Sequence, residues 1–536
     1  MYKIINQIIN QISFYNKTYT NINTLEKLNT LLDDLTLKIH SNIKIHSNIK
    51  ININQESIKN YIIEHSYLLK NNFILDTNYK TNNNYNTLSI SLNNNTYKSF
   101  RHNNINPLFG PFSCQWIHDI QKNDTVTKSE IIRRRKQFEK LDSTKYPAQR
   151  SPEWFQQRDG KITASDAGVV LDDNHYELRY KLILKKTRET FQNNENTYHG
   201  KKYEDIAKAI YEYRMNVLTK EFGMVEHPEI KCIGASPDGI VSPYKNDGIH
   251  LTELVGRMLE IKVPFRRFIK KTGNVKGEIC PIYYWDQVQI QLECCDLDEC
   301  DFWQCTLAEY ENFDHFLEDT CGSEPFRSKT TSFEKGCLIQ ILPTDNSRPH
   351  DDQNYLNIVH EYAKFIHPPK IEMTPKECIT WSNEEIKKIN ETNPGYTYDR
   401  TIYWYLKRAH CETIIRDKEW FNDNKHKFNE LWSYITFVRS DEKYKYLFLN
   451  FHDSTMFRSE SKLIYGTKNY KELNHLKHEI EEKKNKIIFN FLDKLQKKNN
   501  TYNLVSKYID KFKTINDDHI LLNELDNLEK ELNKVN

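Results

Sequence analysis

In "GASPDGIV", Gly234 to Val241, an aspartate sits in a Ser-Pro-Asp-Gly turn, and in "RMLEIKVP", Arg257 to Pro264, a glutamate and a lysine stand two apart on an apolar run. Leu259, Ile261 and Val263 alternate with Glu260 and Lys262, the period of a strand with one apolar face. Glu260 and Lys262 therefore project from the same side, about 7 Å apart along the strand. Upstream, "EIKCIGASPDGIV" reads as a short strand ending in the turn that carries Asp238. If the two segments are neighbours in one sheet, Asp238 and Glu260 can share a hard cation. Two carboxylates plus waters and a phosphate oxygen suit Mg²⁺, which keeps part of its water shell. The chemistry then needs a group that holds a water for deprotonation, and Lys262, an ammonium two residues from a ligand, is placed for it. The plain alternative for an isolated Glu-x-Lys is an ion pair on a solvated strand.

Several elements must position these groups. "YYWDQVQIQLECCD", Tyr283 to Asp296, reads as a helix with Gln287 and Gln291 one turn apart and Val288, Leu292 and Cys295 as an apolar stripe on another side. A glutamine face turned to the strand can hydrogen-bond a phosphate or a nucleophilic water. "SPEWFQQRDGKITASDAGVVL" reads as a helix ending near Gly160 and a second beginning near Thr163 or Ser165. Backbone N–H groups there, with the Ser165 hydroxyl and the Arg158 guanidinium, form a terminal-phosphate pocket. "YHGKKYEDIAKAIYEY" is a helix with Glu204 one turn in, either buried as a further metal contact or exposed and paired with Lys201 or Lys208. In "IIRRRKQFEK", Arg133 to Lys136 occupy consecutive helical positions, as a DNA-backbone contact or an ordinary solvated face.

The chain has 536 residues and a formal net charge of +2. That length predicts two or three domains, and near-neutrality means that a polyanion must be met by local basic patches. No run approaches the roughly 18 apolar residues of a membrane span. "MYKIINQIINQI" lacks a signal-peptide cleavage site, so a soluble, intracellular protein is expected. The 11 cysteines are scattered and no CxxC pair occurs, which favours reduced, buried thiols over a disulfide framework, a zinc ribbon or an iron–sulfur cluster. Cys294, Cys295, Cys300, Cys305 and Cys321, grouped near the candidate site, are read as buried helix and strand positions.

Of 15 glycines, 12 fall between Gly160 and Gly336, which confines α/β turn chemistry to that window. Four regions follow: a low-complexity Asn/Ile-rich extension over 1–110, partly helical around Leu25, Leu28, Leu32 and Leu35; an α/β domain over 111–345; a helical, aromatic-rich accessory region over 346–460; and amphipathic helices over 461–536. In the third region, Trp404, Trp420, Phe421 and Trp432 are expected in a core, with Lys407, Arg408 and Arg416 open to a DNA-facing role. In the fourth, Leu473, Leu476, Ile480 and Ile487, then Leu521, Leu525, Leu528 and Leu532, predict helices packed on the body or on a second chain.

The ordered motifs "W-x3-R-x-G-K-I-T-A-S", "H-G-K-x-Y-E", "S-P-D-G", "L-E-I-K-V-P-F" and "Q-V-Q", over roughly 150 to 320, resemble the YqaJ-type viral recombinase family, relatives of phage lambda exonuclease within the PD-(D/E)xK nucleases. The resemblance implies a mixed central sheet flanked by helices, and Mg²⁺-dependent digestion of double-stranded DNA from a 5′ end, with Mn²⁺ as a substitute metal. By it, Asp238, Glu260 and the Ile261 carbonyl are metal ligands, Lys262 positions the water, and Glu204 is the family's helix-borne acidic residue. Arg158, Ser165, Ser236 and Gln287 hold the 5′-phosphate and align the scissile strand, and Arg266 or Arg267 contacts DNA. The expected partners are duplex DNA ends, a single-strand annealing protein and further copies of the chain, in viral recombination, repair or genome processing in a host cytoplasm. The alternatives are a structure- or sequence-dependent endonuclease of the same superfamily and a catalytically weak protein that binds DNA ends.

Overall fold

The computed structural model describes residues 125–188, 195–344, 352–465, 467, 469–497 and 500–535, and the backbone of Thr96–Lys98, which pairs with Thr125–Thr127. The expected helix around Leu25 to Leu35 lies outside the described residues, as does nearly all of the 1–110 extension.

The chain runs through α1 (Lys128–Ser143), α2 (Pro152–Asp159), β1 (Ile162–Thr163), a 3-10 turn at Ala164–Asp166, α3 (Ala167–Val170), α4 (Arg179–Thr187) and α5 (Glu195–Met215). Short strands β2 (Thr219–Lys220), β3 (Val225–Glu226), β4 (Ile233–Ala235) and β5 (Gly239–Val241) precede β6 (Met258–Lys262), α6 (Ile282–Cys295) and β7 (Glu299–Glu309). Then come α7 (Phe313–Glu318), β8 (Lys335–Pro343), α8 (Asp352–Tyr362), β9 (Lys364–Ile366), α9 (Pro375–Thr392), β10 (Tyr396–Ile415), α10 (Lys418–Arg439) and α11 (Glu442–Ser454). Helices α12 (Tyr470–Lys497), α13 (Asn500–Phe512) and α14 (Asp518–Lys534) complete the described chain.

The main sheet has seven strands in the order β9-β8-β10-β7-β6-β5-β2. Every neighbour pair is antiparallel except β6 with β7, so the sheet is mixed and the fold is α/β, as expected. The β6–α6–β7 crossover accounts for the parallel pair, because a parallel return needs a long connection and a helix fills it. A small second sheet, β1-β4-β3, lies beside it.

Alternation along β6 divides the core in two. Leu259 and Ile261 join Tyr203, Ile206 and Ile210 of α5 in the core on one face, while Met258 belongs to the core on the other, which takes in Val288 and Leu292 of α6 and extends into the C-terminal helices. Helix α5 is fixed to the sheet by Trp303 Nε1, which donates to the Ala207 carbonyl at 2.8 Å, and by the buried Arg214 guanidinium against Glu334, 3.0 Å from Nε.

The region 346–460, expected to be helical, holds four helices but also the 20-residue strand β10, between β7 and β8 in the middle of the main sheet. "YTYDRTIYWYLKRAHCETII" is dense in aromatic and β-branched residues, and Ile402, Trp404 and Leu406 are buried at every second position, which is strand chemistry rather than helix chemistry. Trp404 and Phe421 are core residues, and Trp420 and Trp432 pack against the core. Arg416 pairs with Glu293 at 2.6 Å and Asp296 at 2.7 Å, tying the end of β10 to the end of α6. Arg133 and Arg134 pair with Asp298 and Glu299, so half of the basic run clamps α1 to the start of β7.

The C-terminal leucines behave as expected and pack on the body. Leu476, Ile480 and Ile487 of α12 are buried with Leu521, Leu525, Leu528 and Leu532 of α14. The bundle is fastened by Tyr180 of α4, whose hydroxyl donates to Glu481 at 2.6 Å and whose N–H donates to Asn485 at 3.1 Å. Cys294, Cys295, Cys300 and Cys305 are buried thiols, whereas Cys321 is half-exposed beside Ser323.

Candidate active site

The turn "SPDG" and the strand "LEIK" are neighbours in one sheet: β5 pairs with β6 in the register Gly239↔Leu259 and Ile240↔Met258. Asp238, one residue before β5, is thereby carried to the middle of β6, where its Oδ2 accepts the Ile261 N–H at 2.7 Å. Glu260 and Lys262 share the face turned to α6, as the period-2 reading requires.

Glu260 is only 1% exposed, so its charge must be met inside the protein. Gln287 Nε2 donates to its Oε1 and Gln291 Nε2 to its Oε2, both at 2.7 Å, and Lys262 Nζ lies 2.5 Å from Oε1. The glutamine face on α6 therefore turns to the strand, and its amides grip the metal-ligand candidate itself. Gln287 also accepts from Lys262 Nζ at 3.2 Å, so one side chain sets both charged groups. Below the ammonium lies the Tyr284 ring, 4.3 Å from Nζ to its centroid. Burial pushes the Lys262 ammonium down, yet Glu260, Tyr284 and Asp238 outweigh it and hold the pKa above its ordinary value.

Glu204, midway along α5, reaches the same place and is half-exposed; Arg150 meets both its carboxylate oxygens at 3.3 Å, and Lys208 pairs with Glu221. Burial, supported by Asp205 and Glu260 against Arg150, raises the Glu204 carboxyl. Burial, with Glu260 and Glu204 beside it, raises Asp238 well above the ordinary carboxylate value, against Lys262 and the Ile261 N–H. Carboxyls that disfavour one another's ionisation mark a site short of positive charge, and an all-oxygen donor set fits a hard divalent cation. Among the described residues no group of three or more His, Cys, Asp and Glu side chains is arranged to hold a metal ion. A cation that keeps waters needs no such group.

The residues expected to hold a phosphate are strung along Trp154. The Arg158 guanidinium lies over the Trp154 ring, 5.1 Å from its centroid, and donates to Ser165 Oγ at 3.1 Å, while Trp154 Nε1 donates to Ser236 Oγ at 2.9 Å. Helix α2 ends at Gly160 and the following turn starts at Thr163, whose N–H and hydroxyl both donate to Asp166 Oδ2, at 3.0 and 2.6 Å. Beneath Ser165, Asp166 is buried against Lys185 at 2.8 Å and Lys186 at 3.8 Å, and Lys186 Nζ donates to the Arg158 carbonyl at 2.9 Å. Burial pulls Lys186 down to about 8 despite Asp166.

Of the two arginines after the lysine, Arg267 folds inward, 2.8 Å from Gln304 Oε1 and 5.8 Å from the Tyr284 centroid. Arg266 lies over Phe265, on the exposed side. Three residues of the site went unread in the sequence. Arg150 holds Glu204 from a backbone φ of +66°, with no local motif to announce it. Trp154 and Tyr284 stood inside the quoted motifs as bulky residues, without a sign that their faces would carry Arg158 and Lys262.

Residues 153–298 match the YqaJ-like viral recombinase domain, a stretch that holds Arg158, Ser165, Glu204, Ser236, Asp238, Glu260, Lys262 and Gln287 and supports a nuclease of that type. "Uncharacterized protein R354" of Acanthamoeba polyphaga mimivirus is 38% identical over 326 residues, 60% of this chain and 58% of that protein, so the match spans little more than half of the relative. Two crystal structures of LHK-Exo, an alkaline exonuclease from Laribacter hongkongensis, one of them in complex with dAMP, align with 55% of this chain and 96% of their own at 17% identity. Their TM-scores are 0.28 for the dAMP complex and 0.27 for the other.

Proposed function

We propose that the chain is a divalent-cation-dependent deoxyribonuclease that digests double-stranded DNA from a 5′ end. The observation that carries this reading is the group of Asp238, in the turn before β5, with buried Glu260 and half-buried Lys262 on the adjacent β6, and Gln287 bridging the last two. Asp238, Glu260 and the Ile261 carbonyl would hold the cation, Mg²⁺ or Mn²⁺ in its place, which when bound supplies charge for the phosphoryl oxygens and acidity to a water.

The chain's own residues do the rest. Lys262, an ammonium at neutral pH, donates to the attacking water and orients it; Gln287 and Tyr284 keep its Nζ in place. Glu204, which lies beside Glu260 and Lys262 and is not among the cation's ligands, takes the proton that the water loses in this reading. The water oxygen attacks phosphorus in line, the bond from phosphorus to the 3′-oxygen breaks, and the shortened strand keeps a 5′-phosphate. Arg158 and Ser165, with Ser236 fixed by Trp154, receive that phosphate and register the end for the next cut. Arg267, packed on Tyr284, is the DNA-contacting arginine in this reading. The mimivirus relative supports a role in a large DNA virus, where a resected end is the substrate of an annealing partner in recombination, repair or genome processing.

The test is release of nucleotides from linear duplex labelled at either end, with closed circular DNA and Asp238→Ala as controls. Cation-dependent loss from the 5′ end of linear DNA, absent in the variant, is expected. Cutting of circles would make the protein an endonuclease, and binding of ends without cutting would leave it an end-binding protein.

A further inference from the structure

A run of aromatic rings leads from the candidate catalytic lysine to the protein surface. Tyr284, under Lys262, meets Tyr283 at 4.4 Å between ring centroids. Tyr283 meets Tyr176 edge to face at 6.0 Å and His175 at 6.2 Å. His175 and Tyr176 touch each other at 4.0 Å, and Tyr176 is 73% exposed. Arg267 and Lys262 supply two cations at the inner end.

The outer rings are held rather than loose. Gly168 lies so close to α6 that a Cβ there would stand 2.5 Å from the Tyr283 Cβ. Its carbonyl accepts the N–H groups of Asp173 at 2.8 Å and Asn174 at 2.9 Å, and Asn174 Oδ1 accepts the Tyr176 N–H at 3.0 Å. The loop is turned by Asp172 in the left-handed region, φ +63°, a conformation that aspartate tolerates better than most residues. Asp173 leans on the buried Asp286 of α6. The loop thus holds a largely exposed ring in place against His175 and Tyr283.

The geometry points to a stacking track for unpaired nucleotides of the DNA strand being cut, with bases on Tyr176, His175 and Tyr283 and the backbone drawn in by Arg267. The inference rests on the nuclease reading and adds to it a single-stranded ligand and the residues that take it. Aromatic faces accept any base, so the track carries strand selectivity without sequence selectivity. Cations at one end and apolar faces along the way are the pairing that such strands use.

The test measures binding of a labelled oligothymidylate and of a blunt duplex by anisotropy, with Ca²⁺ in place of Mg²⁺, for the whole chain and for Tyr176→Ala and Tyr176→Phe. Tyr176→Ala should weaken oligothymidylate binding about 5- to 150-fold, Tyr176→Phe should stay within about twofold of the parent because it keeps the face, and duplex affinity should not move. Equal oligothymidylate binding by Tyr176→Ala, an equal loss in the duplex, or no oligothymidylate binding by the parent protein would each overturn the inference. The nuclease reading fails separately, by absence of cutting in the parent protein. Matching melting temperatures for the two variants show that any loss is not one of folding.

Discussion

Gln287 donates to Glu260 at 2.7 Å and, through the other end of the same amide, accepts from Lys262 at 3.2 Å. A single side chain thus sets both the carboxylate that would hold a cation and the ammonium that would hold the water. Gln287→Ala should lower the rate of cutting about 10- to 150-fold, the worth of a hydrogen bond to a charged group, with duplex affinity nearly unchanged. Gln287→Glu should cost more, because it turns a carboxylate on Glu260. Single-turnover digestion of linear duplex reads both, and a variant that cuts at the parent rate would remove Gln287 from the site.

Lys262→Ala should reduce cutting by at least about 10²-fold while DNA binding remains, because in the proposed mechanism the ammonium acts on the water and the developing charge rather than on ground-state affinity. Activity that survives the change would move the water-positioning role elsewhere.

Arg158 carries the end-recognition prediction. With its guanidinium stacked on Trp154 and bonded to Ser165, Arg158→Ala should erase about 10- to 150-fold of any preference for 5′-phosphorylated over 5′-hydroxyl ends. The comparison is the ratio of the two rates, which a general loss of stability leaves unchanged.

Asp286 gives a pH prediction. It is fully buried on α6, and burial, with Asp173 beside it, raises its carboxyl to about 8 against Lys276 and Lys427. In the unfolded chain it ionises near its ordinary value of about 4. Between those two values the native state holds a proton that the unfolded state has lost, so this group makes the fold less stable as pH rises, by up to about 1.4 kcal/mol per pH unit. The loss is complete above about 8, the folded value, and absent below the unfolded one. Asp286→Asn should flatten the fall in melting temperature between about pH 5 and pH 8; parallel curves for the two proteins would exclude Asp286 as its source.

Glu334→Ala should destabilise the protein by about 3–5 kcal/mol, since it leaves the Arg214 guanidinium buried and unpaired beneath α5. Chemical denaturation reads the loss, and a change of under about 1 kcal/mol would mean that Arg214 finds another partner or water.

The parts of the site written in short sequence were legible. The alternation around Glu260 and Lys262, the turn bearing Asp238 and the one-turn spacing of Gln287 and Gln291 each depend on neighbours within a few residues, and the structure places all of them as that spacing dictates. The parts that failed depend on distant segments. Arg150 meets Glu204 across 54 positions, and Arg134 meets Glu299 across 165. Charge alone says nothing about which partner folding will supply, so two arginines of a basic run that could have faced DNA instead clamp a helix. Strand β10 was missed for a different reason: its aromatic and β-branched residues run almost directly into the amphipathic helix α10, and a tract read as one from Tyr403 to Trp432 takes on the period of that helix.

Strand β10 also bears on synthesis of the molecule. The stretch that matches the recombinase domain ends at residue 298, yet four strands of the main sheet, β7 to β10, come from residues 299–415. β6 finds its parallel partner only in β7, and β7 is covered on its other edge only by β10. While the chain leaves the ribosome, the carboxylates and the lysine are therefore made long before the sheet that aligns them can close. Between Glu260 and the end of β10 at Ile415 the sheet around these residues thus closes only after well over 100 further residues have emerged.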